Sequence, residues 1–192
     1  MRLLIASDIH GDAGCCRAML NAFESEKAEK ALLLGDILYH GPRNDIPEGY
    51  APKDVIKMLN DVADKLLCVR GNCDTEVDQM VLSFPVLSDT AFVYDCEADL
   101  TLFMSHGHKY SPDNMPPITG RAVFLYGHTH LLGKVEKNGI PCVNPGSVSL
   151  PKGGNPKTYA IYENGSITIK TFEGAELEKY DFYTNKAPRL CL

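Results

Sequence analysis

Five short apolar runs dominate this sequence, and each is followed by polar residues of the kind that bind metal ions. The runs occupy residues 2–7, 31–34, 66–69, 100–104 and 122–126. The polar residues after them are Asp8 with His10, Asp36, Asn72, His106, and His128 with His130. Short apolar runs bounded by turn residues are typical of buried strands. We therefore predict that these seven side chains stand at the ends of five strands.

The segments between the runs predict the fold class. Apolar residues at helical spacing follow the first run, from Ala13 to about Ser25, and the second, from about Lys53 to Asp64. This alternation predicts parallel strands with right-handed crossovers, whose carboxyl ends share one edge of the sheet. After residue 90 strands dominate, and two Asn-Gly pairs predict tight hairpins. We expect an α/β fold in which a mostly antiparallel second sheet packs on the first, with helices outside.

The spacing of the polar residues favours a metal site. His128 and His130 lie two positions apart, as do Asp8 and His10, so each pair would point to one side of an extended strand end. Any one of these residues alone could be structural, because aspartates cap helices and buried histidines are often satisfied by hydrogen bonds. Five strand ends with the same character favour ligation over those alternatives.

The donor types point to two ions and to phosphate chemistry. Carboxylate, amide and imidazole donors without a thiolate suit Mn²⁺, Fe²⁺, Ni²⁺ or Zn²⁺. Seven ligands are too many for one such ion, but two ions bridged by a carboxylate would use them all. Such a site keeps a net positive charge and would attract a phosphate anion, with a metal-bridging hydroxide as the in-line nucleophile.

Length, charge and cysteine content narrow the class of protein. The 192 residues, 44% of them hydrophobic, suit a single domain spanning residues 1–192. A net charge of −6 argues against a broad nucleic-acid or anionic-membrane surface. The first apolar run is too short for a signal peptide, and no stretch approaches the roughly 20 apolar residues of a membrane helix. Seven cysteines without paired spacing suit a reducing compartment, so we expect a cytoplasmic protein.

The ordered sequence blocks resemble those of a known enzyme family. The blocks are Asp8-x-His10, Gly35-Asp36, Gly71-Asn72-x-Asp74, His106-Gly107 and Gly127-His128-x-His130. In this order the chain resembles the calcineurin-like metallophosphoesterases, and in particular the small bacterial phosphodiesterases of the YfcE type. The likeness continues through residues 41–44, 76–80 and 144–156 and so covers nearly the whole chain.

This resemblance implies both a fold and a metal assignment. The fold would be a four-layer α/β/β/α sandwich of two mixed sheets, as in the metallo-dependent phosphatases. Two divalent ions are implied, with Mn²⁺ favoured and Ni²⁺, Fe²⁺ or Zn²⁺ as alternatives. One ion would take Asp8, His10, Asp36 and His130. The other would take Asp36, Asn72, His106 and His128, with Asp36 bridging.

The resemblance also suggests catalytic residues, namely Asp36, Asn72 and Cys73. Cys73 stands where many larger family members carry a histidine thought to protonate the leaving group. A thiol with an ordinary pKa near 8.5 matches neutral pH less well than an imidazole, so the general acid stays open. The other readings are that Cys73 is a buried core residue and that His40 or His108 is the acid.

Basic and polar loop residues are the candidate substrate contacts. Arg43 and Asn44 lie in a long Gly- and Pro-rich loop, and a guanidinium can hold phosphate oxygens through two hydrogen bonds. Lys152 and Lys157 are also weak candidates for substrate contact. An exposed basic residue is more often simply solvated.

Three functions fit these observations to different degrees. The favoured one is a dinuclear metal-dependent phosphodiesterase, a phosphoric diester hydrolase, acting on small phosphodiesters. A metal-dependent phosphomonoesterase or nucleotidase is the alternative, because the same ions could hold a dianion. A non-catalytic scaffold, as in the eukaryotic retromer, is less favoured, since a binding surface does not require seven converging donors. An edge in the antiparallel half is also compatible with a homo-oligomer.

Overall fold

The computed structural model describes residues 1–182, and Cys191 lies outside the described residues. Three parallel strands pair side by side: β1 (Arg2–Ala6), β2 (Lys30–Leu33) and β3 (Leu66–Cys68). They correspond to the first three apolar runs. The predicted parallel arrangement is therefore confirmed, and the carboxyl ends of these strands share one edge.

Three α-helices lie among the described residues: α1 (Ala13–Ser25), α2 (Pro52–Asn60) and α3 (Glu76–Val81). Helix α1 begins at the predicted residue because the Asp12 side chain accepts a hydrogen bond from the Cys15 backbone N–H. Helix α2 is shorter than predicted and is followed by a 3-10 turn at residues 63–65. None of these helices is long and apolar enough to cross a membrane.

Eight further strands complete two mixed sheets. They are β4 (Thr90–Asp95), β5 (Leu100–Ser105), β6 (Ala122–Leu125), β7 (Gly133–Lys137), β8 (Ile140–Asn144), β9 (Thr158–Glu163), β10 (Ser166–Thr171) and β11 (Glu176–Asp181). The five-stranded sheet has the order β4-β5-β6-β8-β7 and the six-stranded sheet the order β11-β10-β9-β1-β2-β3. The return of β9 to pair with β1 was not predicted, nor was β11. Strand β6 also runs parallel to both β5 and β8 in the half expected to be mostly antiparallel.

Two apolar layers hold the sandwich together. Between the sheets, Leu34 after β2 packs in one cluster with Leu102 of β5 and Tyr162 of β9. On the other face of the six-stranded sheet, Met19 of α1 and Leu59 of α2 belong to a second buried cluster. The predicted packing of two mixed sheets is confirmed.

Part of the outer face of the five-stranded sheet is covered by irregular chain. Residues 106–121 form no helix, and within them the Met115 sulfur lies 3.7 Å from the Cys142 sulfur of β8. All three described α-helices precede β4. The loops after β5 and β6 thus contain no helix among the described residues.

Backbone hydrogen bonds join these loops at one edge of the sandwich. The N–H of Asp8 donates to the carbonyl of Gly35 at 3.1 Å, and that of His10 donates to the carbonyl of Asp36 at 2.9 Å. On the second sheet, the N–H of Gly127 donates to the carbonyl of His106 at 2.7 Å. The loops that carry the candidate ligands thus fix one another.

A polar cluster ties the end of α1 to the six-stranded sheet. The Glu26 carboxylate accepts hydrogen bonds from Arg2 at 2.5 Å, Lys170 at 2.7 Å and Tyr159 at 3.0 Å. Burial alone would raise the pKa of Glu26, but these three donors outweigh it and hold the pKa below its ordinary value of 4.5. The cluster should therefore stabilise the fold at neutral pH.

We predict a pH-dependent loss of stability for Glu26→Gln. A carboxyl with a lowered folded-state pKa stabilises the protein above its unfolded pKa, and this contribution is lost as the pH falls through the folded value. At pH 7 the free energy of unfolding should drop by about 2 kcal/mol. Urea unfolding should show the difference from wild type shrinking below pH 4.5. Glu24→Gln, at an exposed position of α1, is the matched control and should change stability by less than about 0.5 kcal/mol.

Candidate metal centre

The structure brings all seven predicted ligand residues together at the edge where the loops meet. The Nε2 atoms of His10 and His130 lie 3.3 Å apart, and Asp8 Oδ1 is 3.5 Å and 3.2 Å from them, respectively. These three residues form the first group of donors. Their side chains are almost completely buried.

A second group of donors lies beside the first. His106 Nε2 is 3.1 Å from Asn72 Oδ1 and 3.2 Å from His128 Nδ1. Asp36 Oδ2 lies 3.5 Å from His106 Nε2 and 3.7 Å from His10 Nε2, so its carboxylate faces both groups. This arrangement has the same division, with Asp36 between the groups, as the family resemblance implies.

The donor atoms fit divalent cations. Imidazole nitrogens face one another at 3.2–3.3 Å, although two such nitrogens share at most one proton. Asp8 Oδ1 is buried and accepts no hydrogen bond from the described residues. The donors of Asp8, His10 and His130 lie within 4.8 Å of one another, as do those of Asp8, Asp36 and His106. A cation in each group would give these lone pairs a common partner.

Backbone carbonyls set the tautomer of three histidines. In each case Nδ1 faces a carbonyl oxygen and can only donate to it, which leaves Nε2 as a lone-pair donor toward the centre. The three pairs are His10 with Tyr39 at 2.8 Å, His106 with Leu34 at 2.7 Å, and His130 with Leu150 at 2.6 Å. The ring orientation needed for ligation is therefore built into the polypeptide.

Five of the seven candidate ligands have left-handed backbone conformations. Their φ angles are 60° for Asp8, 50° for His10, 57° for Asp36, 66° for His128 and 61° for His130. Each such residue costs about 1–2 kcal/mol relative to ordinary backbone geometry. Strain repeated at these positions indicates that the fold fixes the direction of each side chain.

The predicted extended geometry at His128 and His130 is wrong. Both residues follow the end of β6 and adopt positive φ, so simple strand alternation does not apply. The two imidazoles also approach different neighbours, because the His128 ring lies 5.1 Å from that of His106 and the His130 ring 5.1 Å from that of His10. The pair therefore serves both donor groups rather than one spot.

Asp74 holds the two loops that carry Asp36 and Asn72, a role that sequence reasoning missed. Its carboxylate accepts hydrogen bonds from the backbone N–H groups of Asp36 at 2.8 Å, Ile37 at 2.9 Å and Gly71 at 2.7 Å. Burial, followed by the charge of Asp36, raises the pKa of Asp74 to about 6. A Cβ atom at Gly71 would overlap the Asp36 carboxylate, which explains the glycine. The only signal in the sequence was the presence of Asp74 in the family block.

Serine hydroxyls fix Asp8 in a similar way. Ser147 and Ser149 both donate to its backbone carbonyl, at 2.9 Å and 3.0 Å, and Ser7 donates to Oδ2 at 2.6 Å. Ser147 and Ser149 lie about 140 positions away in the chain. Sequence reasoning noted the segment around Ser147 only as part of the family likeness.

The buried carboxylates and imidazoles shift one another's pKa values toward the charged forms. Burial opposes ionisation of Asp8, but the imidazoles of His10 and His130 outweigh this effect and hold the pKa of Asp8 well below its ordinary value. Burial would likewise lower the pKa of His106, yet the carboxylates of Asp36 and Asp8 raise that pKa to about 9. Without a cation, protons on His10 and His106, whose pKa values are both raised, thus balance the carboxylates.

A cavity of about 250 Å³ opens above the donors. Asn72 and His128 line it from the centre, and the candidate substrate contacts Arg43 and Asn44 line it as well. Thr129 and Lys152 complete the wall on the side of His130. Lys157 is not among the lining residues, and its Nζ instead lies 3.0 Å from the sulfur of Cys15.

The candidate general acids are less well placed than the metal donors. Cys73 is buried, and a Cβ on Gly41 would lie only 3.0 Å from its sulfur. Burial and then the charge of Asp36 raise the pKa of this thiol, which makes it a weaker acid. Neither Cys73, His40 nor His108 lines the cavity. Burial and the nearby His106 also lower the pKa of His108 to about 4, so its imidazole is neutral at pH 7.

Comparison with known proteins gives a consistent picture. The family model described as the calcineurin-like phosphoesterase superfamily domain matches residues 1–166. The phosphodiesterase YfcE of Escherichia coli strain K12 is 46% identical over 169 residues, which is 88% of this chain and 91% of that protein. A solved structure of YfcE, a phosphoesterase from E. coli, superposes with a TM-score of 0.90 at 42% identity, covering 95% of this chain and 100% of that chain.

A more distant likeness extends to eukaryotic proteins. The structure of vacuolar protein sorting 29 from Cryptosporidium parvum superposes with a TM-score of 0.61 at 15% identity, covering 94% of this chain and 97% of that chain. At this identity the likeness concerns the fold alone.

We predict that Asp74→Asn weakens metal binding without touching a ligand. An amide cannot accept three backbone hydrogen bonds as a carboxylate does, so the Asp36 and Asn72 loops should lose their fixed spacing. Calorimetric titration of chelator-stripped protein with Mn²⁺ should show an affinity about 10–100-fold lower than wild type. Urea unfolding should show a loss of about 2 kcal/mol.

Asp113→Asn is the matched control for this experiment. Asp113 is 84% exposed and pairs only with Lys137 among the described residues, so metal affinity and stability should stay at wild-type values. An Asp74→Asn variant with wild-type affinity would contradict the positioning role of Asp74.

Proposed function

Because the chain belongs to the calcineurin-like phosphoesterase superfamily, we propose that it is a dinuclear metal-dependent phosphodiesterase that hydrolyses small phosphodiesters. The observation that carries this proposal is the convergence of seven oxygen and nitrogen donors in two groups that share the Asp36 carboxylate. A paired arrangement of this kind is suited to hydrolysis at phosphorus.

In this proposal each ion has its own ligands. One would be held by Asp8, His10, Asp36 and His130, and the other by Asp36, Asn72, His106 and His128. When bound, the two ions would neutralise the phosphate oxygens and acidify a water molecule for in-line attack on phosphorus. The lowered pKa values of Asp8 and Asp36 support the proposal, since both carboxylates are ionised as ligands require.

The residues of the chain would hold the substrate and the ligands in place. Arg43 lines the cavity, where its guanidinium can donate to substrate oxygens that lie outside the metal centre. Asn44 donates its amide to the His40 carbonyl at 2.8 Å and so fixes the loop that carries Arg43. Carbonyl contacts to the histidine Nδ1 atoms would keep the rings from rotating as substrate enters.

Two observations support a diester with a good leaving group as the class of substrate. YfcE is named a phosphodiesterase, and 46% identity over most of both chains supports the same reaction here. The buried Cys73 thiol, with its raised pKa, is a poor proton donor. We therefore expect a preference for diesters whose leaving group departs without protonation.

The two other functions have weaker support. A phosphomonoesterase or nucleotidase would use the same donors, but the relative that is 46% identical is named a phosphodiesterase. A protein-binding scaffold would share only the fold with vacuolar protein sorting 29. It would not need a strained centre of converging donors.

The proposal extends to the metal, the compartment and the assembly. Manganese suits the mixed carboxylate and imidazole donors. The six described cysteines are all free, which supports the cytoplasm. Phe92 and Tyr94, exposed at 72% and 55% on the same side of the edge strand β4, support a homo-oligomer through this edge. The net charge of −6 supports a small substrate rather than a nucleic acid.

We predict that activity depends on divalent metal and on the Asp36 carboxylate. Chelator-stripped protein should not cleave a bis-aryl phosphodiester, and added Mn²⁺ should restore cleavage, because the ions supply the charge that holds the phosphate. Asp36→Asn should reduce the restored kcat at least about 100-fold, since an amide cannot bridge two cations as a carboxylate does. Asp113→Asn is the control and should retain full activity.

The matching aryl monoester distinguishes the remaining functions. Faster hydrolysis of the monoester than of the diester would move the assignment to a phosphatase. No hydrolysis of either ester with Mn²⁺, Ni²⁺, Fe²⁺ or Zn²⁺ would leave the scaffold as the function to pursue.

We also predict that Cys73 is dispensable for diesters with good leaving groups. Cys73→Ala should change kcat for a bis-aryl diester by less than about threefold, because an aryl oxide leaves without a proton. Both proteins should cleave an alkyl diester far more slowly than the aryl one. An equal and severe loss on both substrates after Cys73→Ala would show instead that the thiol is essential.

A further inference from the structure

Two cationic side chains border the cavity above the metal centre without a carboxylate partner. Arg43 and Lys152 both line this cavity. Within residues 1–182, no carboxylate oxygen lies within 4.0 Å of either cationic group. Asp36 is the one carboxylate among the lining residues, and it would be bound to the proposed metal ions.

The charges in a larger cavity of the protein are arranged differently. A groove of about 660 Å³ lies along β9, β10 and β11 and also contains basic residues. There Arg2 pairs with Glu163 at 2.6 Å, and Lys170 pairs with Glu26 at 2.7 Å. The basic residues of that groove are thus already compensated, whereas those above the metal centre are not.

The loops that carry the two cations are anchored to the centre. The Lys152 backbone N–H donates to the carbonyl of the candidate ligand His130 at 3.1 Å. On the opposite loop, the contact of Asn44 with the His40 carbonyl fixes the turn around Arg43. The backbone that carries each cation is therefore held beside the cavity by hydrogen bonds.

Charge balance shows that a simple diester does not need both cations. Two divalent ions would carry four positive charges, and Asp8, Asp36, a deprotonated nucleophile and a monoanionic diester would carry four negative charges. Arg43 and Lys152 then add two positive charges next to a neutral centre. A second phosphate, which carries about −1.5 to −2 at neutral pH, would compensate them.

We propose that Arg43 and Lys152 form a subsite for a second phosphate, located on the arm of the substrate that stays esterified after cleavage. The substrate class is therefore a small phosphodiester that carries an additional phosphate group, such as a phosphorylated nucleoside diester. This inference rests on the phosphodiesterase function proposed above. The cavity of about 250 Å³ suits one compact, multiply charged group rather than a polymer.

Two aryl diesters that differ only in the second phosphate test the proposal. They are the p-nitrophenyl ester of thymidine 5′-phosphate and the same ester with an added 3′-phosphate. Wild-type protein with Mn²⁺ should show a KM about tenfold lower for the 3′-phosphorylated ester, as a charge-assisted contact provides. Lys152→Gln and Arg43→Gln should each reduce this difference to about threefold or less.

Lys53→Gln is the matched control, because Lys53 is an exposed lysine at the start of α2 and does not line the cavity. It should preserve the full KM difference. Equal KM values for the two esters in the wild-type protein would overturn the subsite while leaving the diesterase function intact. Absence of hydrolysis of both esters would count against the diesterase function itself.

Binding of the reaction products gives a readout that is independent of turnover. Calorimetric titration of Mn²⁺-loaded protein should show thymidine 3′,5′-bisphosphate binding about tenfold more tightly than thymidine 5′-phosphate. Lys152→Gln should abolish most of this preference. A preference that survives in both Lys152→Gln and Arg43→Gln would overturn the assignment of the subsite to these residues.

Discussion

The convergence of buried, like-charged and lone-pair donors on one edge of the sandwich is the constraint on which the rest of the structure depends. The carboxylates of Asp8 and Asp36 are almost completely buried. Beside them, imidazole nitrogens face one another at 3.2–3.3 Å. Such groups repel or leave lone pairs unsatisfied unless a cation or protons lie between them. The surrounding chain must therefore hold them in place against their own electrostatics.

Backbone conformation does much to hold these side chains in place. Left-handed conformations at Asp8, Asp36 and His130 turn each side chain sharply toward the centre after its strand ends. The strain is offset by hydrogen bonds between loops, of which the three backbone N–H groups bound by Asp74 are the clearest example. A loop that stored this strain without cross-links would relax into an ordinary turn. The geometry of the centre thus depends on supporting residues such as Asp74 as well as on the donors themselves.

The same edge explains how an acidic protein can act on an anion. The net charge of −6 is spread over the whole chain, whereas Arg43 and Lys152 line the cavity above the proposed metal centre. Local charge, and not the overall balance, decides what approaches the cavity. The buried Cys73 contributes no charge there, because its raised pKa keeps the thiol protonated.

The sequence by itself determined the strands of the five apolar runs, the helix start at Ala13 and the seven polar residues that follow those strands, because apolar runs and turn residues act over a few neighbouring positions. The tertiary structure alone decided that β9 returns beside β1 and that His128 and His130 serve different donor groups. It also decided that Asp74 and Ser147 support the centre. These features depend on positive φ angles and on contacts between residues up to about 140 positions apart, which no local pattern encodes.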